Sequence, residues 1–255
     1  LKFVCMVMNV LFGIFLFISC AKQGPLGPMG LPGNDGAAGA PGNLGRGDLA
    51  LLNMNFLNLK RSYNANSKGF DATKTDLDVK FLFSHDVFAS DTVLKKENFF
   101  ASLKYDVAYL KIIENAVKMM KNHISHAFDS DVLSLFSILI ESAEHVRDVL
   151  SALESNFFVF SKVDDVAGIA ELNVMLMTIW RVREEVIDDI KVALNIVREN
   201  LLGGLKVERI VSSLRPIFQV GKIYNQIFSD VYSLAKLKLS ILEKVKELTQ
   251  AVILP

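Results

Sequence analysis

The chain has 255 residues, with 28 basic and 28 acidic side chains, four His and two Cys, and 51% of its residues are apolar. That content supplies one good-sized core or two small ones and excludes a disordered polymer. Zero formal net charge argues against a protein that holds nucleic acid through bulk electrostatics, which needs a clear basic excess or stripe. Nine of the 15 Gly lie between Gly24 and Gly47, and four of the six Pro lie between Pro25 and Pro41. From Asp48 onward helix breakers are scarce, which favours long helices over a turn-rich sheet fold.

Residues 1–19 read as an export signal. Lys2 precedes an apolar run from Phe3 to Ile18, interrupted by Asn9, that stops at Ser19-Cys20; a charged start, an apolar stretch and small residues at the break are the parts of a secretory signal. The run is short of the roughly 20 apolar residues a membrane span needs. Leu16, Phe17 and Ile18 with Ser19 directly before Cys20 resemble a bacterial lipobox in the relaxed form seen in spirochaetes. That resemblance implies lipidation of Cys20, anchoring in an outer membrane and display on the cell surface. Cys5 would leave with the signal, so the exported body would have no thiol for a disulfide and must rely on packing.

Residues 20–48 read as a lipidated Cys followed by a collagen-like tether. Gly recurs every third residue at 24, 27, 30, 33, 36, 39, 42 and 45, the period required where three polyproline-like chains leave room only for Gly at a shared axis. Two forms compete: a triple helix, which requires a trimer, and a flexible Gly/Pro spacer. The short run and its modest Pro content favour the spacer unless the body itself trimerises. Arg46-Gly47-Asp48 at its end resembles the integrin-binding tripeptide, set against the simpler reading of a spacer boundary with Asp48 as a helix N-cap. Residues 49–70, diluted by Asn53, Asn55, Asn58, Asn64 and Asn66, read as a partly helical lead-in.

Residues 71–255 read as an all-α domain, an antiparallel bundle of about five helices. A less definite helix covers Asp71 to about His85. From Asp91, Phe100, Leu103, Val107, Leu110, Ile113, Val117, Met120 and Ile124 follow steps of three or four and predict one helix. Val132, Phe136, Leu139, Ala143, Val146, Leu150, Leu153 and Phe157 repeat the pattern, with Asp129 or Ser130 as cap and an antiparallel packing on the preceding helix. A helix from about Asp164 to Asn200 points Ile169, Leu172, Leu176, Ile179, Val186, Ile190, Ala193 and Val197 inward and ends at Gly203-Gly204. A short helix around Val207 to Ser213 then precedes Pro216, which suits a first helical turn. The last helix runs through Val220, Tyr224, Ile227, Val231, Leu234, Ile241, Val245 and Leu248 to about Ile253.

Chemistry is sparse. No Gly-rich phosphate loop occurs outside the tether, and no Cys pair or nucleophile elbow is present, so neither an enzyme nor a cofactor is expected. His123 and His126, with Asp129 a turn later, place two imidazoles and a carboxylate at metal-ligand spacing, against the plainer reading of a solvated helix end; no metal site is expected. His145, four residues after Glu141, reads as a surface pair, and Trp180 as a core anchor. Phe157, Phe158 and Phe160 read as a helix end buried in the core, and the mixed charges of Arg181 to Glu185 as a solvated face.

The lipobox, the low-complexity tether and a Cys-free helical body rich in Lys, Asn, Ile, Leu and Phe look like the surface lipoproteins of Borrelia. Within that group the size and helical body are similar to the complement-regulator-acquiring proteins. The resemblance implies a host serum protein of the factor H class as partner, a membrane reached through the N-terminal lipid, and no nucleic acid. An extracellular-matrix or integrin adhesin, and a structural or antigenic coat protein that forms a homo-oligomer, are the alternatives.

Overall fold

The computed structural model describes residues 44–72, 92–123 and 128–253. The signal, Cys20 and most of the tether lie outside them, as does the helix expected from residue 73 to His85. Within the described residues the fold is all-α and no strand occurs. The helices are α1 (Leu44–Tyr63), α2 (Thr92–Ser102), α3 (Val107–Lys121), α4 (Asp129–Phe160), α5 (Val166–Leu202), α6 (Val207–Phe218), a single turn α7 (Lys222–Tyr224) that continues as a π turn (Asn225–Ser229), and α8 (Leu234–Ile253). No helix among the described residues is long and apolar enough to cross a membrane.

The two longest helices set the frame. α4 has 32 residues and α5 has 37, spans of about 48 and 55 Å at 1.5 Å per residue. They do not lie side by side: α1, α6 and α8 each pack against both. Phe56 meets Phe157 at 5.7 Å between ring centroids and Lys60 reaches Glu154 at 2.8 Å, so α1 and α4 run antiparallel. Lys244 on Glu171 and Lys238 on Asp148 fasten α8 between α5 and α4. The seam residues predicted on α4 and α5 are buried, apart from Phe157, which is half-buried.

The lead-in is helical as far as Tyr63 and forms turns from there to residue 69. α1 begins at Leu44, the last residue of the seventh Gly-X-Y triplet, and includes the eighth, so Asp48 is an internal helical residue and not an N-cap. Leu52, Phe56, Leu59 and Tyr63 enter the core, each worth about 1.5–3 kcal/mol of burial. The Asn residues that break up the apolar pattern are partly functional in packing. Asn55 Nδ2 donates to Asn173 Oδ1 at 3.1 Å, and Asn173 Nδ2 donates to the Asp48 carbonyl at 3.0 Å. This buried amide pair sets α1 on the first turns of α5, and the Ser62 to Glu184 contact farther along shows that the two helices run parallel.

Elsewhere the expected helices are cut. The helix from Asp91 divides at 103–106, where Lys104 and Tyr105 both take positive φ of 56° and Asp106 caps α3 by accepting from the Ala108 amide at 3.1 Å. Two non-Gly residues in the left-handed region cost on the order of 1–3 kcal/mol each; Tyr105 is held under Phe70 and Phe100, and Lys104 pairs with Glu184. α3 packs chiefly on α5, not on α4, whose N-cap is Phe128 without a side-chain cap. Pro216 sits in the last turn of α6, not the first turn of the final helix. The segment from Val220 to Ser233 is a turn, a π turn and a bend, so Val220 and Val231, predicted inward, are exposed.

The most consequential departure is Arg183, which lies in the stretch predicted to be solvated. It fills the gap between Ile179 and Val186 in the core face of α5 and is 1% exposed. Its Nη2 donates to the Ala101 carbonyl at 2.8 Å, and its Nε donates to Ser62 Oγ at 3.2 Å. The guanidinium lies 5.6 Å from the Tyr63 ring centroid. Ser62 Oγ in turn donates to Glu184, which also receives Lys104. Burial pulls the Arg183 pKa down to about 10, with the charge of Glu184 opposing. Burial also pushes against ionisation of Glu184, but the hydrogen bonds from Lys104 and Ser62 and the nearby Arg183 charge hold its pKa below the usual carboxylate value.

Arg183→Ala removes the charged donor to the Ala101 carbonyl, which keeps only the Lys104 amide, and opens a cavity between α1, α2 and α5; it is expected to destabilise by about 3 kcal/mol, read as a lower urea midpoint. Arg183→Met, which keeps the volume, is expected to lose less. Gly168 gives a second test. A Cβ there would meet the N-cap carboxylate of Asp165 and approach Leu248 Cδ2 to 2.7 Å, so Gly168→Ala is expected to lower the melting temperature although Ala is by about 1 kcal/mol the better helix former.

Candidate functional site: an apolar groove beside α6

Pro216 shapes an open concavity on the described surface. It carries no amide hydrogen, so the turn it occupies lacks one ladder bond and the helix stops two residues later. The chain leaves α6 in extended conformation at Gln219 and turns through Val220 and Gly221 into Lys222. Between this turn, α6 and the outer face of α5 lies an open groove of about 700 Å³ lined by Val192, Ala193, Ile196, Pro216, Val220 and Ile223. Val192 is 62%, Ile196 50% and Val220 81% exposed. Asn200 Nδ2 donates to Ser213 Oγ at 2.6 Å and binds the end of α5 to α6, which fixes one wall.

Its polar lining comes from Asp189, Ser212, Ser213, Arg215, Gln219 and Lys222. Lys222 Nζ donates to Asp189 Oδ1 at 2.8 Å, while Asp189 Oδ2 is buried without a hydrogen-bond partner. Arg215 is exposed on the opposite side. An apolar floor with the Arg215 guanidinium exposed at its edge suits the capture of an amphipathic segment, whose apolar face fills the groove while its polar edge meets that charge.

A second, smaller pocket of about 330 Å³ is polar and lies between α2, α4 and α8, lined by Lys95, Glu141, Glu144, His145, Asp148 and Lys238 among others. His145, expected on the surface, is largely buried, with neither ring nitrogen hydrogen-bonded and its ring edge-on to Phe228 of the π turn at 5.9 Å. Burial, helped by the Lys238 charge and opposed by Asp148, lowers its pKa to about 4. Burial and the Glu144 charge raise that of Glu141.

The residues singled out in the sequence are scattered. Cys20 lies outside the described residues. Arg46, Gly47 and Asp48 fall in the first two turns of α1, with Gly47 exposed and Asp48 half-buried. His123 ends α3 with its Nε2 3.8 Å from Glu208 and its ring against Phe128 at 5.1 Å. Asp129 opens α4, and His126 lies outside the described residues. Among the described residues no three His, Cys, Asp or Glu side chains are placed to hold a metal ion. Trp180 is 40% exposed, not a buried anchor, and of the three Phe at the end of α4 only Phe160 is fully buried while Phe158 is exposed. The groove carries no signal in the sequence except Pro216 itself, because its apolar residues continue the helical spacing of the core. Comparison with protein-family models, with curated proteins and with solved structures finds no match to this chain.

The histidine pocket gives a pH prediction. The unfolded chain protonates His145 near the ordinary 6.5 and the folded one only near 4, so this group's contribution to stability is complete above pH 6.5 and falls between pH 6.5 and 4. Glu141, raised, acts in the opposite sense and adds stability on acidification. An NMR titration of the His145 Cε1 proton, assigned with His145→Gln, is expected to show a midpoint near 4.

Proposed function

We propose that this chain is a lipid-anchored protein of a bacterial outer membrane whose helical body captures a host protein, in the first place a complement regulator of the factor H class. Lipid on Cys20 keeps the body at the membrane, the Gly-X-Y stretch holds it away from the surface, and the body presents the groove beside α6 to the partner. The observation that carries the reading is the groove itself. Val192, Ile196 and Val220 are exposed together around one concavity, and solvated apolar side chains so grouped mark an interaction site more often than a bare surface. The remaining support is the pattern of lipobox, tether and Cys-free helical body.

Passing serum over the immobilised full chain tests this. Retention of a complement regulator is expected, and retention survives raised salt because apolar contacts are not screened. Ile196→Glu and Val220→Glu are expected to weaken capture at least about tenfold, equivalent to about 1.4 kcal/mol, with circular dichroism unchanged. Retention of no regulator would sink the proposal, and undiminished capture by both variants would remove the groove from it.

A further inference from the structure

We infer that three copies of this chain associate, and that the outer ridge formed by α1 and the adjoining turns of α5 is the face through which they meet. The inference is independent of host capture. Its first ground is the Gly period, which runs unbroken from Gly24 to Gly45. Such a period fits three chains that share an axis, where only Gly has room, and a body that itself trimerises selects that form over a flexible spacer. α1 starts at Leu44, the last residue of the seventh triplet, and takes in the eighth, Gly45 to Gly47. Any three chains joined through the repeat therefore bring three copies of α1 together as the next element.

The second ground is the side of α1 that faces away from its own core. Leu52, Phe56, Leu59 and Tyr63 account for the inner face. The opposite side carries Gly47, Leu51, Met54 and Asn58, at steps of four, three and four, the seam spacing of a coiled coil. Leu51 is 37% and Met54 51% exposed. A helix with one solvated face would carry polar residues at those two positions. Gly47 is exposed, and a Cβ built there meets nothing within 4 Å, so the stripe begins with open space where the repeat draws the chains closest. Asn58 is the kind of polar seam residue that fixes register and copy number.

The third ground is the neighbouring helix. The Asn55–Asn173 pair and the bond from Asn173 to the Asp48 carbonyl hold α1 level with the first turns of α5. Directly after that level α5 exposes Val174 and Met177. The apolar side chains of the two helices thus extend one ridge. Its apolar side chains, Leu51, Met54, Val174 and Met177, fall well short of the roughly 20–30 residues a side of a stand-alone interface, so the ridge relies on the repeat to raise the effective concentration of its partners. Each half is weak alone, and the two are predicted to act together.

The oligomeric mass of the full chain in detergent, measured by sedimentation equilibrium without any host protein, tests this. A mass three times that of one chain is expected. Leu51→Glu combined with Met54→Glu, and separately Gly33→Ala in the repeat, are each expected to raise the dissociation concentration at least tenfold. Val220→Glu, on the distant groove, leaves it unchanged. If the double glutamate variant loses helicity, Leu51→Ser with Met54→Ser replaces it and is expected to show the same direction. A single-chain or two-chain mass overturns the inference, and so does a trimer that the folded α1 variants leave intact.

Discussion

Arg183 is the constraint on which the middle of this fold turns. A guanidinium with 1% exposure is tolerated only where its charge and donors are met, and meeting them here takes residues from three separate helices. Ser62 and Tyr63 end α1, Ala101 belongs to the end of α2, and Glu184 follows on α5. The left-handed turn at Lys104 and Tyr105 becomes intelligible in that light. It swings the chain back over the site so that Lys104 completes the pairing of Glu184, and so that Tyr105 closes the aromatic layer of Phe70 and Phe100. A straight continuation of α2 through those residues would leave a buried carboxylate short of a cation.

The same logic separates the two sides of the body. On the α1 side, polar groups are buried and paired: Asn55 with Asn173, Tyr63 with Asn98 at 2.8 Å, and Arg183 with its partners. Paired polar groups in a low dielectric fix helix level and register, because a slip of one turn would strand them. On the side of α6 to α8 the chain is held by apolar contact and by more exposed pairs such as Lys244 with Glu171 and Lys238 with Asp148, and it is interrupted by Pro216, the π turn and the bend before α8. Those interruptions open the groove and place Phe228 against His145. The rigid side carries the ridge for self-association and the broken side carries the groove, which leaves the two proposed contacts without a shared residue.

The all-α class was legible in the sequence because apolar spacing of three and four persists wherever breakers are absent, and the inward residues of α4 and α5 followed from it. Helix ends were less legible. Val220, Tyr224, Ile227, Val231 and Leu234 keep perfect helical spacing across a segment that is not one helix, since spacing records which residues are apolar and not whether backbone hydrogen bonds run on. Arg183 stands on the core face at the helical step, yet a charged residue among charged neighbours reads as solvated. Only the convergence of Ser62, Tyr63 and Ala101 around it makes burial possible. Trp180 and Val220 were misjudged for the converse reason, being apolar residues for which the fold provides no partner.

The sequence by itself therefore determined the helical class, the core faces of the two long helices, the Gly period and the apolar run ahead of it, all of them local properties of residue type and spacing. Tertiary structure decided which helices meet, that α4 and α5 are bridged by their neighbours although five residues join them, where a charge is buried, and which apolar side chains remain in water. Those are questions of long-range pairing. Each depends on whether a distant segment supplies a hydrogen-bond partner or an apolar surface, and no local pattern encodes that supply.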